Sequence, residues 1–436
     1  MTVAFFELLL VTVDIRILSI VFDLKDAHKD PIFGIWDREL ARTRDEEPLG
    51  VAQTNALVGT LIIQSPGSQR KTASYEFSTG SLRTFILDKV LRAAEERLIP
   101  LLQTASVEGG AVDLQDVLER FAFDNICSIA LERDPDCLSK ASESGERLYR
   151  AFEDAGYLSV ERAKLPFPLI WKFRKLLNIG SEKKLRESMS TIHEHFTDCI
   201  RRPTGSEEKG GFLSKFRKDG ANSDELIRDM LINFVIAGRD TTPSALTWFF
   251  WQVSSRPDVI GRIREEIRLI RASREISRSF TFEMIQELNY LQAAISESMR
   301  LYPPICLLTR ECGADDALPD GTIVKKGWTV MYSPLAMGRT KGIWGEDCLE
   351  FKPERWLVDG VFRPKSAFEY TVFHTGPRMC PGREMAFLQM KIVAASILER
   401  FEMEVGEERG EHQVHIALRM EGGLPVRVMK RRDSNG

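Results

Sequence analysis

The stretch FHTGPRMCPGRE, Phe373 to Glu384, places one cysteine among glycines, prolines and arginines, directly ahead of a long apolar helical pattern. A thiolate needs positive surroundings to stay ionised. Gly376 and Gly382 allow tight turning and close backbone approach around Cys380. Pro381 suits the first turn of a helix, and a helix N-terminus favours negative charge on the sulfur. Arg378 is placed to neutralise an anionic ligand. The setting suits a thiolate bound to a large cofactor, or a nucleophilic cysteine.

The rest of the chain narrows these alternatives. With 436 residues and 43% hydrophobic content, it can bury a large core in one big domain or two to three smaller ones. A net charge of −4 gives no basic signature for nucleic acid. Seven cysteines, no CxxC spacing and no Asn-x-Ser/Thr sequon argue against a disulfide scaffold or a structural zinc site. Cysteines other than Cys380 read as small buried hydrophobes. Val3 to Phe22 has the length of a membrane span but carries Glu7, Asp14 and Arg16. Asp and Arg each cost roughly 2.5–3.5 kcal/mol near a bilayer centre, so a surface segment or a buried strand or helix fits better. The basic start and small-residue cleavage site of a signal peptide are missing from it.

Apolar residues recur at helical spacing from about Ser81 to Ile200, and Asp113 suits an N-cap. A very long helix follows the polar loop Pro203–Gly211, with Asn222 and Glu225 as its expected cap and Pro257 as its stop. TFEMIQELNYLQAAISESMRLYPP reads as one amphipathic helix ending at Pro303-Pro304. LPDGTIVKKGWTVMYSP and IALRMEGGLPVRVMK each read as a hairpin. The fold expected is mainly α with a minor β part.

Two further stretches carry chemistry. AGRDTTP, Ala237 to Pro243, puts Gly238 and Pro243 in the middle of the long helix. Pro243 deprives the carbonyl of Arg239 of its helical partner, so the backbone is expected to open into a groove. Asp240 and Thr241 beside it form an acid–alcohol pair able to bind water and relay protons. The plainer alternative is an ordinary kink with a threonine bonding back to a carbonyl. Glu297 and Arg300 meet at i, i+3 on a helix. Alone they suit a solvated surface pair, but Arg355 in FKPERW could complete a buried triad that pins a loop to the helix.

Taken together, these stretches resemble the cytochromes P-450. FHTGPRMCPG is similar to their haem-binding loop, AGRDTT to their oxygen-activation motif, and ESMR with FKPERW to their E-x-x-R and partner-arginine motifs. QRKTASYEFSTGSLR, GEDCLEFKPERW and ESMRLYPP most resemble the eukaryotic fatty-acid ω-hydroxylase branch. The resemblance implies the cytochrome P-450 fold, a helical haem domain with small β-sheets, over residues 66–436. Residues 1–65 carry no recognised family feature, and Pro66 stands where the branch usually has a tryptophan.

It also implies roles. Cys380 would be the axial thiolate of haem b, iron protoporphyrin IX, with Phe373 packed near it and Gly376 and Gly382 shaping the loop. Arg378, Arg70 and Arg310 would meet the propionates. Glu297, Arg300 and Arg355 would form the structural triad. Thr241 would hold dioxygen or water, and Asp240 would help deliver protons. Phe234, Ala237, Pro304, Ile305, Leu308 and Met420 would line the substrate pocket. The reaction implied is insertion of one oxygen atom from O2 into a C–H bond of a long apolar substrate, a fatty acid at its ω end or an alkane. Electrons would come from an NADPH-dependent flavoprotein reductase, with cytochrome b5 as a further partner, since the chain has no Gly-x-Gly-x-x-Gly motif. A monomer on the cytoplasmic face of the endoplasmic reticulum membrane is the expected setting. The alternatives are reductase-independent isomerase or peroxygenase chemistry on the same fold, or a decayed relative that holds haem poorly. Asp240 and Thr241 favour the monooxygenase, because the other reactions need no proton relay.

Overall fold

Ile86, Val90, Ala94, Leu98 and Leu102 recur every fourth residue and are all buried. A helix of 3.6 residues per turn would rotate such a stripe away from the core. One π-helical turn, Ala94–Leu98, takes up the drift between α1 (Gly80–Ala93) and α2 (Ile99–Glu108). The computed structural model describes residues 80–163, 165, 168–202, 211–218, 223–274, 280–318, 321–374, 376, 379–406 and 412–431.

Strand β1 (Ala111–Asp113) leads into α3 (Leu114–Ala130). The Asp113 carboxylate caps α3 by accepting from the N–H groups of Gln115 and Asp116, at 3.0 and 3.4 Å. Next come α4 (Glu143–Ala163), α5 (Pro168–Leu177), α6 (Gly180–Arg201) and α7 (Phe212–Lys218). Helix α8 (Asp224–Ser254) then runs 31 residues, roughly 45 Å at the usual rise. Its cap is Ser223, whose hydroxyl accepts from Leu226 N–H at 3.3 Å; Asn222, the expected cap, lies outside the described residues. Pro257 opens the next helix, α9 (Pro257–Ala272), at its first position.

The amphipathic segment expected as one helix is two, α10 (Phe282–Glu287) and α11 (Asn289–Leu301), divided at Leu288. The reason is tertiary: the Glu266 carboxylate of α9 accepts from Tyr290 and Leu291 N–H, at 2.7 and 3.0 Å, and so caps α11 from outside. Both expected hairpins also pair differently. β2 (Leu308–Glu311) pairs with β5 (Thr329–Tyr332), and β3 (Asp316–Ala317) with β4 (Ile323–Val324), as nested antiparallel ladders. The turn that joins β3 to β4 is closed by Leu318 and Thr322, and a second turn at Lys325–Trp328 leads into β5. A further ladder joins β6 (Leu357–Val358) to β7 (Val361–Phe362).

After the cysteine loop, α12 (Arg383–Arg400) runs into β8 (Phe401–Val405). β9 (His412–Val414) pairs with β10 (Leu418–Met420), whereas β11 (Pro425–Lys430) lies between β1 and β8. The 416–430 segment thus belongs to two sheets. Helix α8 packs on α3, α6, α11 and α12. Trp248, Phe249 and Phe250 on it are fully buried with Phe123, Phe152 and Phe196. Each such ring contributes about 1.5–3 kcal/mol by leaving water.

Candidate functional site

Cys380 closes a turn-rich loop at the start of α12. Its N–H donates to the carbonyl of Phe373 at 2.8 Å, and Met379 N–H donates to Gly376 at 3.0 Å. Gly376 has a φ of 62°, a conformation that costs most side chains energy. The Phe373 ring lies 5.3 Å from that of Phe387, which holds the loop against α12. Gly382 is the N-cap of α12, so the sulfur lies beside the helix N-terminus. His374 has a φ of 59°, and its Nδ1 is 3.1 Å from the Tyr332 hydroxyl, a contact that ties the loop to β5.

Cys380 differs from the buried cysteines. Burial pushes the thiol of Cys127 far up, raises those of Cys137 and Cys199, and pushes Cys306 up to about 11. Those groups are inert thiols. Cys380 is half-buried, and no disulfide engages it.

On α8, the backbone remains helical through Pro243 instead of opening as expected. Gly238 serves packing: a Cβ there would lie 3.0 Å from the Cδ1 and Cγ1 of Ile126 on α3. Ala237, however, is exposed between buried residues of a helix that crosses the molecule, so α8 borders open space there. The Thr241 hydroxyl donates to the Ala237 carbonyl at 2.8 Å, the back-bond anticipated as the plainer alternative. Asp240 Oδ1 is 3.6 Å from the Arg239 guanidinium. Phe234, expected to face the pocket, packs instead in a ring stack with Phe212 and Phe216 of α7, at 4.7 and 5.9 Å.

Glu297, Arg300 and Arg355 come together, and Glu297 and Arg300 are fully buried. Arg300 Nε and a terminal nitrogen each bind Glu297 at 2.8 Å, in the two-pronged geometry that favours such pairs. Arg300 also donates to the carbonyls of Gly338, Cys348 and Glu350. Arg355 Nε reaches Glu297 at 3.2 Å. Glu297 further accepts from Lys352 N–H and Trp356 Nε1, both at 2.9 Å. The solvated surface pair is thereby excluded.

Pro304 and Met420 are buried, and Ile305 and Leu308 are half-buried. Leu418 N–H donates to the Pro304 carbonyl at 2.7 Å, and Gln115 holds both backbone groups of Met420. Arg310 is half-buried on β2 and donates to the Thr309 carbonyl at 2.9 Å. Arg378 and Arg70 lie outside the described residues, as does Val3 to Phe22. No helix among the described residues is long and apolar enough to cross a membrane.

Two features had no assigned role in the sequence. Trp356, next to Arg355, joins the Glu297 cluster. Arg239 is a buried cation whose partner is Glu153 of α4. A lone arginine inside the apolar run LINFVIAGRDTTPSALTWFF was its available signal.

The family profile for cytochrome P450 matches residues 40–421. The chain belongs to the cytochrome P450 family. It is 48% identical to cytochrome P450 CYP94D108 of Paris polyphylla over 370 residues, 83% of this chain and 74% of that one. It is 41% identical to cytochrome P450 94A1 of Vicia sativa (88% of this chain, 77% of the other). Identity to cytochrome P450 94B1 of Arabidopsis thaliana is also 41% (86% and 76%). The chain is a P450 monooxygenase, and membership implies a haem held by a cysteine thiolate. The residues present fit that group: one half-buried thiol at a helix start, and open space beside Ala237 and Thr241 on α8.

Proposed function

We propose that this monooxygenase hydroxylates a long-chain fatty acid at or near its ω carbon, with Cys380 as the thiolate ligand of haem b. The observation that carries the ligand assignment is the contrast between half-buried Cys380, beside the N-terminus of α12, and the buried thiols whose protons are held tightly. Haem bound there supplies the activation of O2. Arg310, Arg378 and Arg70 would take its propionates, and Phe373 its proximal face. Gly376 and Gly382 let the loop approach, and Glu297, Arg300 and Arg355 fix the segment that leads to it.

On the distal side, the Thr241 hydroxyl turns from the Ala237 carbonyl toward the open space and gives a hydrogen bond there. Asp240, the next residue on α8, is the acid of the pair. Ala237, Pro304, Ile305 and Leu308 supply apolar surface for an acyl chain. The fatty-acid reading is supported by the branch-like stretches around Gln69–Arg83 and Glu297–Pro304. Electrons would come from an NADPH-dependent flavoprotein reductase, with cytochrome b5 assisting, at the endoplasmic reticulum membrane, to a monomeric chain.

The test is spectroscopic. Reduced protein under carbon monoxide should show the absorption band that names the family, and Cys380→Ala should lose it. Fatty acids of graded length should shift the haem spectrum on binding. A full panel that produces no shift would overturn the substrate reading and leave the haem assignment standing.

A further inference from the structure

A group of charges outside the Glu297 cluster gathers around Asp240, with Glu119 and Arg239 buried and the others partly exposed. Five charged side chains from four elements meet there: Glu119 of α3, Glu153 of α4, Arg239 and Asp240 of α8, and Arg419 of β10. Glu153 binds both guanidiniums, that of Arg419 at 2.8 Å. Arg419 also binds Glu119, and Arg239 stands 3.6 Å from Asp240. Arg239 is buried under the rings of Phe123, Tyr149 and Phe152, at 5.3–5.9 Å. Its Nε has no hydrogen-bond partner among the described residues.

Three carboxylates therefore face two guanidiniums, which leaves one negative charge in excess. A guanidinium keeps its proton, so only a carboxylate can relieve the excess, by taking one up. Glu119 is the most deeply buried of the three. The other groups around it are Asp116 and Arg120 of its own helix and Tyr149 of α4, whose hydroxyl is 3.4 Å from Glu119. Arg120 is itself neutralised by Asp116 and Glu146. Burial pushes Glu119 up to about 7 against the pull of Arg419 and Arg239, and the charge of Asp240 adds to the rise.

We propose that Glu119 is a positioning residue for proton supply: it takes up the proton that three carboxylates facing two guanidiniums require, and its charge acts through Arg419 and Arg239 on the Asp240 end of the relay. The inference rests on the assignment of Asp240 above. The influence is electrostatic and crosses the two arginines.

The experiment compares wild type, Glu119→Gln, Glu119→Asp, Arg419→Gln and Asp240→Asn in haem-loaded protein with its reductase. Product formed per O2 consumed is read over roughly pH 6 to 9. Glu119→Gln removes a negative charge, so coupling should begin to fail at a pH lower by about half a unit or more. Arg419→Gln removes a positive charge and should move the failure to higher pH. Glu119→Asp keeps the charge and should restore the wild-type profile. The second readout is stability against denaturant. Glu119 binds its proton more tightly folded than unfolded, so wild-type stability should fall as pH rises from 4.5 to about 7. Glu119→Gln should flatten that fall.

Shifts of Glu119→Gln and Arg419→Gln in the same direction, or an unchanged stability slope, would overturn the proposal. So would a wild-type profile in Glu119→Gln where Asp240→Asn abolishes the pH dependence, although Asp240 would then keep its role. An unaltered profile in Asp240→Asn would sink the assignment of Asp240 itself.

Discussion

Thr241 and Glu297 show two ways in which a single side chain acts here. The Thr241 hydroxyl is satisfied by its own helix, one turn back at Ala237, yet it borders open space. Its bond can be exchanged without leaving a buried group unpaired, because a backbone carbonyl exposed at such a space can take water instead. Thr241→Ala should therefore fold normally and give the same substrate-induced spectral shift. Product formation should drop by on the order of 10²-fold while oxygen consumption continues, since a positioned proton donor typically contributes that much or more. Retained coupling would remove Thr241 from the relay.

Glu297 has no such freedom. It accepts from two arginines, one backbone N–H and one indole, with no exposure to solvent. Glu297→Ala would leave buried guanidinium charge without compensation, a loss of about 3–5 kcal/mol. The expected outcome is collapse of soluble yield or a correspondingly lower denaturant midpoint. A midpoint within error of wild type would show that Arg300 is adequately held by its three carbonyl partners. In the sequence, Glu297 and Arg300 were legible because i, i+3 spacing is local. Arg355 could only be offered as a candidate partner from its irregular, Pro-Glu-preceded stretch, and Lys352 and Trp356 joined only through the folded geometry.

At the scale of elements, helices were legible and strand partners were not. A helix closes its hydrogen bonds within itself, so the stripes along α3, α8 and α12 carry most of their own evidence. A strand's partner is chosen elsewhere in the chain. Gly422 and Gly423 mark a turn correctly, with φ of 79° and 80°, but β11 crosses to β8 and β1 rather than folding back on β10. The break at Leu288 was hidden for the same reason, because the carboxylate that caps α11 comes from α9.

Asp113 links both kinds of element. Its Oδ1 caps α3 and also accepts from Leu424 N–H at 2.9 Å, beside the start of β11. Losing an N-cap alone costs about 0.5–2 kcal/mol, and the stranded Leu424 donor adds to it. Asp113→Ala should accordingly lower stability by about 2 kcal/mol or more. Asp113→Asn, which keeps an acceptor oxygen, should recover most of the loss. Equal loss in both variants would mean that the charge, not the cap, matters.

For the molecule as a whole, the junction of α9, α11 and α12 is the place where buried charge and packing compete. Lys391 on α12 is only 3% exposed, and its ammonium reaches Gln292 Oε1 at 3.1 Å and the Leu288 carbonyl at 3.5 Å. Burial lowers Lys391 to about 8, with Glu266 of α9 opposing the fall. The unfolded chain holds this proton up to about 10.5, the ordinary lysine value, so it binds more protons than the fold between the two values. Stability should then rise with pH across that window, by roughly 3 kcal/mol if the full difference is expressed. Lys391→Met fills similar volume without the charge. It should abolish the rise, even if the loss of two hydrogen bonds offsets part of its gain at neutral pH. The measurement is the difference in denaturant midpoint between variant and wild type at neutral pH and near the upper end of the window. A constant difference would show that the Lys391 ammonium is fully accommodated by Glu266, Gln292 and Leu288, and that the three helices meet around a settled ion rather than a strained one.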